Sequence, residues 1–144
     1  MASKTYADYS NEELKFLTQG VMTYLDSWQL TTEEIITILG LQNLIKTRQL
    51  AGFRSGNRVF PESPEILIRV DHIIGIADGL RTTYPLSDQM RQIWLTKPHR
   101  RFQRDTPISV MLNDSTPNGL LRIRMEVDCN YAYAISEAMR DQQS

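Results

Sequence analysis

The sequence predicts an all-α protein. Three observations carry that expectation: every apolar segment repeats at helical spacing, most such segments follow a Ser or Thr suited to cap a helix, and nothing reads as a strand of useful length. The chain has 144 residues, which suits one domain or two small ones sharing a core. A joint is expected at Pro61 to Pro64, dividing the chain into residues 1–60 and 61–144.

Residues 1–9 are polar and read as a loose arm. Ser10 with Glu13 forms a capping box, and Leu14, Phe16, Leu17, Val21, Met22, Tyr24 and Leu25 follow at helical spacing to about Ser27. Thr31 to Glu34 is a second capping box. It opens a short helix carrying Ile35, Ile36, Ile38 and Leu39, which Gly40 ends in a left-handed turn. Leu41 to about Leu50 is expected to form a third helix. Helix, Gly-containing turn and helix is the helix-turn-helix pattern, and a plain antiparallel hairpin is the other reading of it.

The stretch from Leu41 to Phe60 holds four basic residues and no acid. Gln42, Asn43, Lys46, Thr47, Arg48, Arg54 and Arg58 are therefore the candidate DNA-binding residues, of the types that read base edges or hold phosphates. The loop from Gly52 to Arg58 has the composition to approach a phosphate. The same run also reads as a solvated face.

Ser63-Pro64 opens a wide apolar helix with Ile66, Leu67, Val70, Ile73, Ile74, Ala77 and Leu80, broken at Tyr84-Pro85. Ser87 caps the next helix, with Met90, Ile93, Trp94 and Leu95 expected to face inward. Thr106-Pro107 opens a short helix to Leu112. Ser115 or Thr116, before Pro117, caps the last one, which carries Leu120, Ile123, Val127, Tyr131, Ala134, Ile135 and Ala138 to about Met139.

Composition narrows the function. Sixteen basic against seventeen acidic residues give a net charge of −1, so only local patches suit a polyanion. Cys129 is the only cysteine, which excludes an internal disulfide and a Cys-rich zinc site. No signal peptide opens the chain and no apolar run reaches the roughly 18–20 residues of a membrane span, so a soluble cytoplasmic protein is expected. His72 lies on an apolar helix, where a hydrogen-bonded interior role is expected, and His99 lies in a basic loop as a contact or cap. Neither has a second ligand at metal spacing, and Cys129 has no activating base nearby. No Gly-rich phosphate loop occurs, and Gly75 and Gly79 fit close helix packing. No catalytic, cofactor-binding or metal-binding residue is assigned.

The stretch Trp94-Leu95-Thr96-Lys97-Pro98, with Phe102 and Thr106-Pro107-Ile108 after it, resembles the signature of the MbcA/ParS/Xre antitoxin family. Gly119-Leu120, Ile123 and Val127-Asp128 resemble the family's closing rhythm. The likeness covers about Leu30 to Cys129. Three departures stand out: His99 where the family favours Asn, Arg104 in place of a Gly, and a longer turn between Leu112 and Gly119. A left-handed backbone at Arg104 would cost about 1 kcal/mol or more.

The resemblance implies an Xre-like helix-turn-helix joined to a helical toxin-binding half. It implies a non-catalytic antitoxin that neutralises a RES-type toxin, one that attacks NAD or transfers ADP-ribose, and it implies a homodimer that represses its own promoter DNA. Candidate toxin contacts are Trp94 and the basic Lys97, Arg100, Arg101 and Arg104, together with Tyr131, Tyr133, Glu137, Met139 and Asp141 of the C-terminal segment. The basic loop also reads as a solvated turn. In the antitoxin reading the C-terminal segment covers the toxin's NAD pocket. A helix-turn-helix regulator without a toxin partner and a structural adaptor are the alternatives.

Overall fold

The computed structural model describes the backbone of residues 8–143 and the side chains outside 131–135, 137–138 and 141–143. The arm expected over residues 1–9 lies outside that range except at its last two positions. Among the described residues every regular element is helical. The α-helices are α1 (Asn11–Ser27), α2 (Thr32–Leu39), α3 (Leu50–Ser55), α4 (Pro64–Thr83), α5 (Asp88–Thr96), α6 (Pro107–Asn113) and α7 (Asn118–Gln143). Short 3-10 turns occupy Thr47–Gln49 and Arg100–Phe102. No helix among the described residues is long and apolar enough to cross a membrane. The chain forms two compact units, Met1–Ile73 and Ile74–Ser144, with the division inside α4.

In the first unit, Ser10 and Thr31 cap α1 and α2 with reciprocal boxes through Glu13 and Glu34. Each box satisfies two backbone groups that a helix start leaves open. α1 buries Leu14, Thr18, Val21, Met22 and Leu25, and packs on α3. Phe16 points away from that stripe into solvent. Phe53 of α3 packs at a tilt against Phe60 with ring centroids 5.2 Å apart, and the buried Thr18 hydroxyl accepts the Phe60 N–H at 3.3 Å.

The helix expected over Leu41 to Leu50 does not form. The reason lies at the end of α2. Gly40 takes φ 72°, its N–H donates to the Thr37 carbonyl at 3.1 Å, and the Leu41 N–H donates to Ile36 at 3.0 Å. This is a Schellman end, and the fully buried Leu41 is its apolar clip. With Leu41 used there, Leu44 and Ile45 share no buried stripe with it. Leu44 is exposed, and Asn43 is left-handed at φ 67°. Lys46 is extended, its N–H held by the Gln49 side chain at 2.7 Å, and helix resumes only at Leu50.

The buried Arg69 of α4 completes this end. Its Nη1 donates to the Ile38 carbonyl at 3.2 Å, while Nε and Nη2 reach Glu65 at 3.3 and 3.2 Å. A cation there satisfies one of the last carbonyls of α2.

In the second unit, Ile76, Ala77 and Leu80 of α4 are buried, as are Leu120, Ile123 and Val127 of α7. A Cβ on Gly75 would meet the Arg124 side chain, and one on Gly79 would collide with Val127. Both glycines therefore let α4 and α7 approach closely. Ser87 caps α5, and Thr106 caps α6 with Pro107 in its first turn. α6 packs on both α5 and α7.

Met90 and Ile93, expected to face inward, are exposed. The helical repeat explains the difference. Arg91, Trp94 and Leu95 lie three and four residues apart and share the inner face, which leaves Met90, Ile93 and Lys97 together on the outer one. Arg91 holds the preceding turn by donating to the Tyr84 carbonyl and pairing with Asp88.

Candidate protein-interaction surface

The loop between α5 and α6 is built around His99. Its imidazole sits between Trp94 and Phe102, with centroid distances of 5.1 and 5.9 Å. Its Nε2 lies 2.9 Å from the Trp94 carbonyl oxygen. A carbonyl only accepts, so Nε2 carries the hydrogen. The His99 backbone closes the loop: its N–H donates to Asp105 at 3.1 Å, and its carbonyl accepts the Phe102 and Arg104 N–H groups at 3.1 and 2.9 Å. The turn needs two left-handed residues in succession, Gln103 at φ 55° and Arg104 at φ 70°.

Arg122 of α7 fastens the loop from the other side. Its guanidinium carbon lies 5.0 Å from the Phe102 ring centroid, and Nη2 donates to the Arg101 carbonyl at 3.0 Å. Arg101 Nε in turn meets Glu126 of α7 at 3.3 Å. Cation–π and charge-assisted contacts of this kind fix a loop that has little apolar surface of its own.

This geometry sorts the candidate residues. Trp94 is only 6% exposed, so it belongs to the core and offers a partner no surface. Lys97, Arg100, Arg101 and Arg104 are exposed around the buried Trp94 and Phe102. The structure thus brings four of the expected contacts together on one loop. Met139 is exposed on α7, and the side chains of Tyr131, Tyr133, Glu137 and Asp141 lie outside the described residues.

The candidate DNA-binding residues are not one helix face. Gln42, Asn43, Lys46, Thr47 and Arg48 are exposed on the irregular segment that replaces the expected helix. Arg54 is engaged elsewhere: its Nε and Nη2 clamp both oxygens of Asp26 at 3.0 and 2.9 Å, tying α3 to α1. That hydrogen bonding to Asp26 raises the guanidinium pKa above its already high ordinary value. Arg58 lies over the Phe53 ring at 5.8 Å.

Sequence reasoning missed Leu121 and Met125, which are exposed on α7 and lie four residues apart. Arg122 and Glu126 follow them at the same spacing. The signal was present: these four positions avoid the stripe of Leu120, Ile123 and Val127, so they must share the outer side of the helix. An open cleft of about 510 Å³ is lined by Asp78, Arg81, Thr82, Pro85 and Arg91. Among the described residues no three His, Cys, Asp or Glu side chains are grouped as metal ligands would be. Comparison with models of known protein families finds no match, and comparison with curated proteins finds none.

Proposed function

We propose that this chain is a non-catalytic binding protein of the antitoxin type, whose 74–144 unit captures a RES-type toxin. The observation that carries the reading is the loop around His99. Its apolar members, Trp94 and Phe102, are buried, and its four basic side chains are exposed on a backbone fixed at both ends. A fixed, cationic projection suits recognition of an acidic protein surface. The long α7, which continues to Gln143, supplies a second contact.

The reading carries action in the cytoplasm and dimerisation with it. Repression of its own promoter belongs to it as well, although the irregular 41–49 segment favours no recognition helix. Any DNA contact would fall to that exposed segment rather than to a helix laid in a groove.

Co-expression with a RES-type toxin tests the proposal. The chain should restore growth and NAD levels, and truncation after Cys129 should leave a folded protein that no longer protects. Growth arrest undiminished by the full chain, with every RES-type toxin tried, would remove the antitoxin reading.

A further inference from the structure

On α7, Leu121 and Met125 are 40% and 59% exposed, one turn apart on the side away from the buried stripe. Arg122 is one residue from Leu121 and three from Met125, so it borders the pair. Arg122 also bonds the Arg101 carbonyl, and Arg101 pairs with Glu126. These contacts set the Arg101 and Arg122 guanidinium groups beside an apolar ridge, with the exposed Arg100 next to Arg101 in the chain. Arg101 stays 69% exposed while paired, so it remains open to a second carboxylate.

We infer that this ridge and row form a docking site for an acidic amphipathic helix of another protein. The helix would set Leu-like side chains on Leu121 and Met125 and carboxylates against Arg100, Arg101 and Arg122. Charge selects this occupant. The whole chain is −1, whereas Arg101 and Arg122 line one edge of this apolar pair. An antiparallel second copy would lay one arginine row beside the other, which their charges oppose. A nucleic acid does not fit either, because Glu126 stands within the row and the apolar pair has no phosphate to meet. Asp128 borders the ridge on its other edge, so the carboxylates of the partner must lie on the arginine side. This inference rests on reading the chain as a binding module, and its test needs no toxin.

The probe is a designed helical peptide of about 21 residues with Leu on one face and Glu on the rest. Calorimetric titration at low salt should show saturable binding that weakens as salt rises. Met125→Glu and Arg101→Gln should each weaken it about tenfold, with the helical circular-dichroism signal retained. A peptide with Lys in place of Glu should not bind.

Absence of binding by the Leu/Glu peptide, or equal binding by the Lys peptide, would overturn the inference. So would full affinity in both variants. Tighter binding of a duplex of about 20 base pairs at the same residues would make the face a polyanion site instead. A dimer dispersed by Met125→Glu would make it a self-association face. Peptide binding without protection from a RES-type toxin would retain the docking site and remove the antitoxin reading.

Discussion

Arg69 on α4 donates to the carbonyl of Ile38 at 3.2 Å, closing the C-terminal end of α2 from outside that helix. Arg69 is 3% exposed, whereas its carboxylate partner Glu65 is largely in water. The carbonyl bond therefore matters more than the ion pair, because an exposed pair contributes little. Arg69→Met should cost about 1–3 kcal/mol in denaturant unfolding, from the carbonyl left without a donor. Glu65→Gln should change stability by less than about 1 kcal/mol. Equal losses from both would place the stabilisation in the ion pair.

Gly40 lies against the same guanidinium. A Cβ there would sit 2.8 Å from Arg69 Nε, at a backbone φ of 72°. Gly40→Ala should cost about 1–2 kcal/mol from the left-handed backbone alone, and more from the crowding. A melting temperature unchanged by Gly40→Ala would mean that α2 can end in another way.

Trp94 is buried against His99. Trp94→Ala should cost about 3–5 kcal/mol, measured by urea unfolding. A loss within about 0.5 kcal/mol would show that the indole is not part of the core.

Arg104 holds φ 70° without being Gly. Arg104→Gly should relieve about 1 kcal/mol of backbone strain, partly offset by the larger entropy of the unfolded glycine chain. Arg104→Val, β-branched at the same φ, should be clearly less stable than Arg104→Gly in thermal melts. The opposite order would mean that the loop opens rather than strains.

Gly79 faces Val127 of α7. Gly79→Ala gains about 1 kcal/mol of helix propensity but overpacks the contact, which costs about 1–3 kcal/mol. A net loss is expected, with partial recovery in the double variant Gly79→Ala, Val127→Ala. A stabilised single variant would show that α7 yields freely.

Local signals were legible in the sequence. The boxes at Ser10 and Thr31, the left-handed Gly40 and the Ser87 and Thr106 caps each depend on neighbours within four residues. Trp94 was legible as core because Leu95 and Pro98 fix the end of its helix. What escaped depends on partners distant in sequence. Leu41 is apolar and spaced for a helix, yet it serves as the clip on α2. Met90 and Ile93 have the residue types of a core, and only the packing of Arg91, Trp94 and Leu95 shows which side of α5 turns in. Arg69 reads as a surface cation until Ile38, 31 residues earlier, is placed beside it. The basic loop was legible as a charge run. Its junction with Leu121 and Met125 was not, because Arg101 and Glu126 meet across 25 residues of chain.

The Leu41 clip has a practical consequence. α2 is finished by Gly40, Leu41 and Arg69, and α3 restarts at Leu50. The exposed stretch Gln42 to Leu44 is therefore bracketed by two anchored ends and bears no core side chain of its own. Exposed, polar turns of this kind tolerate inserted sequence well. A fluorophore or affinity tag spliced between Asn43 and Leu44 would report on the first unit.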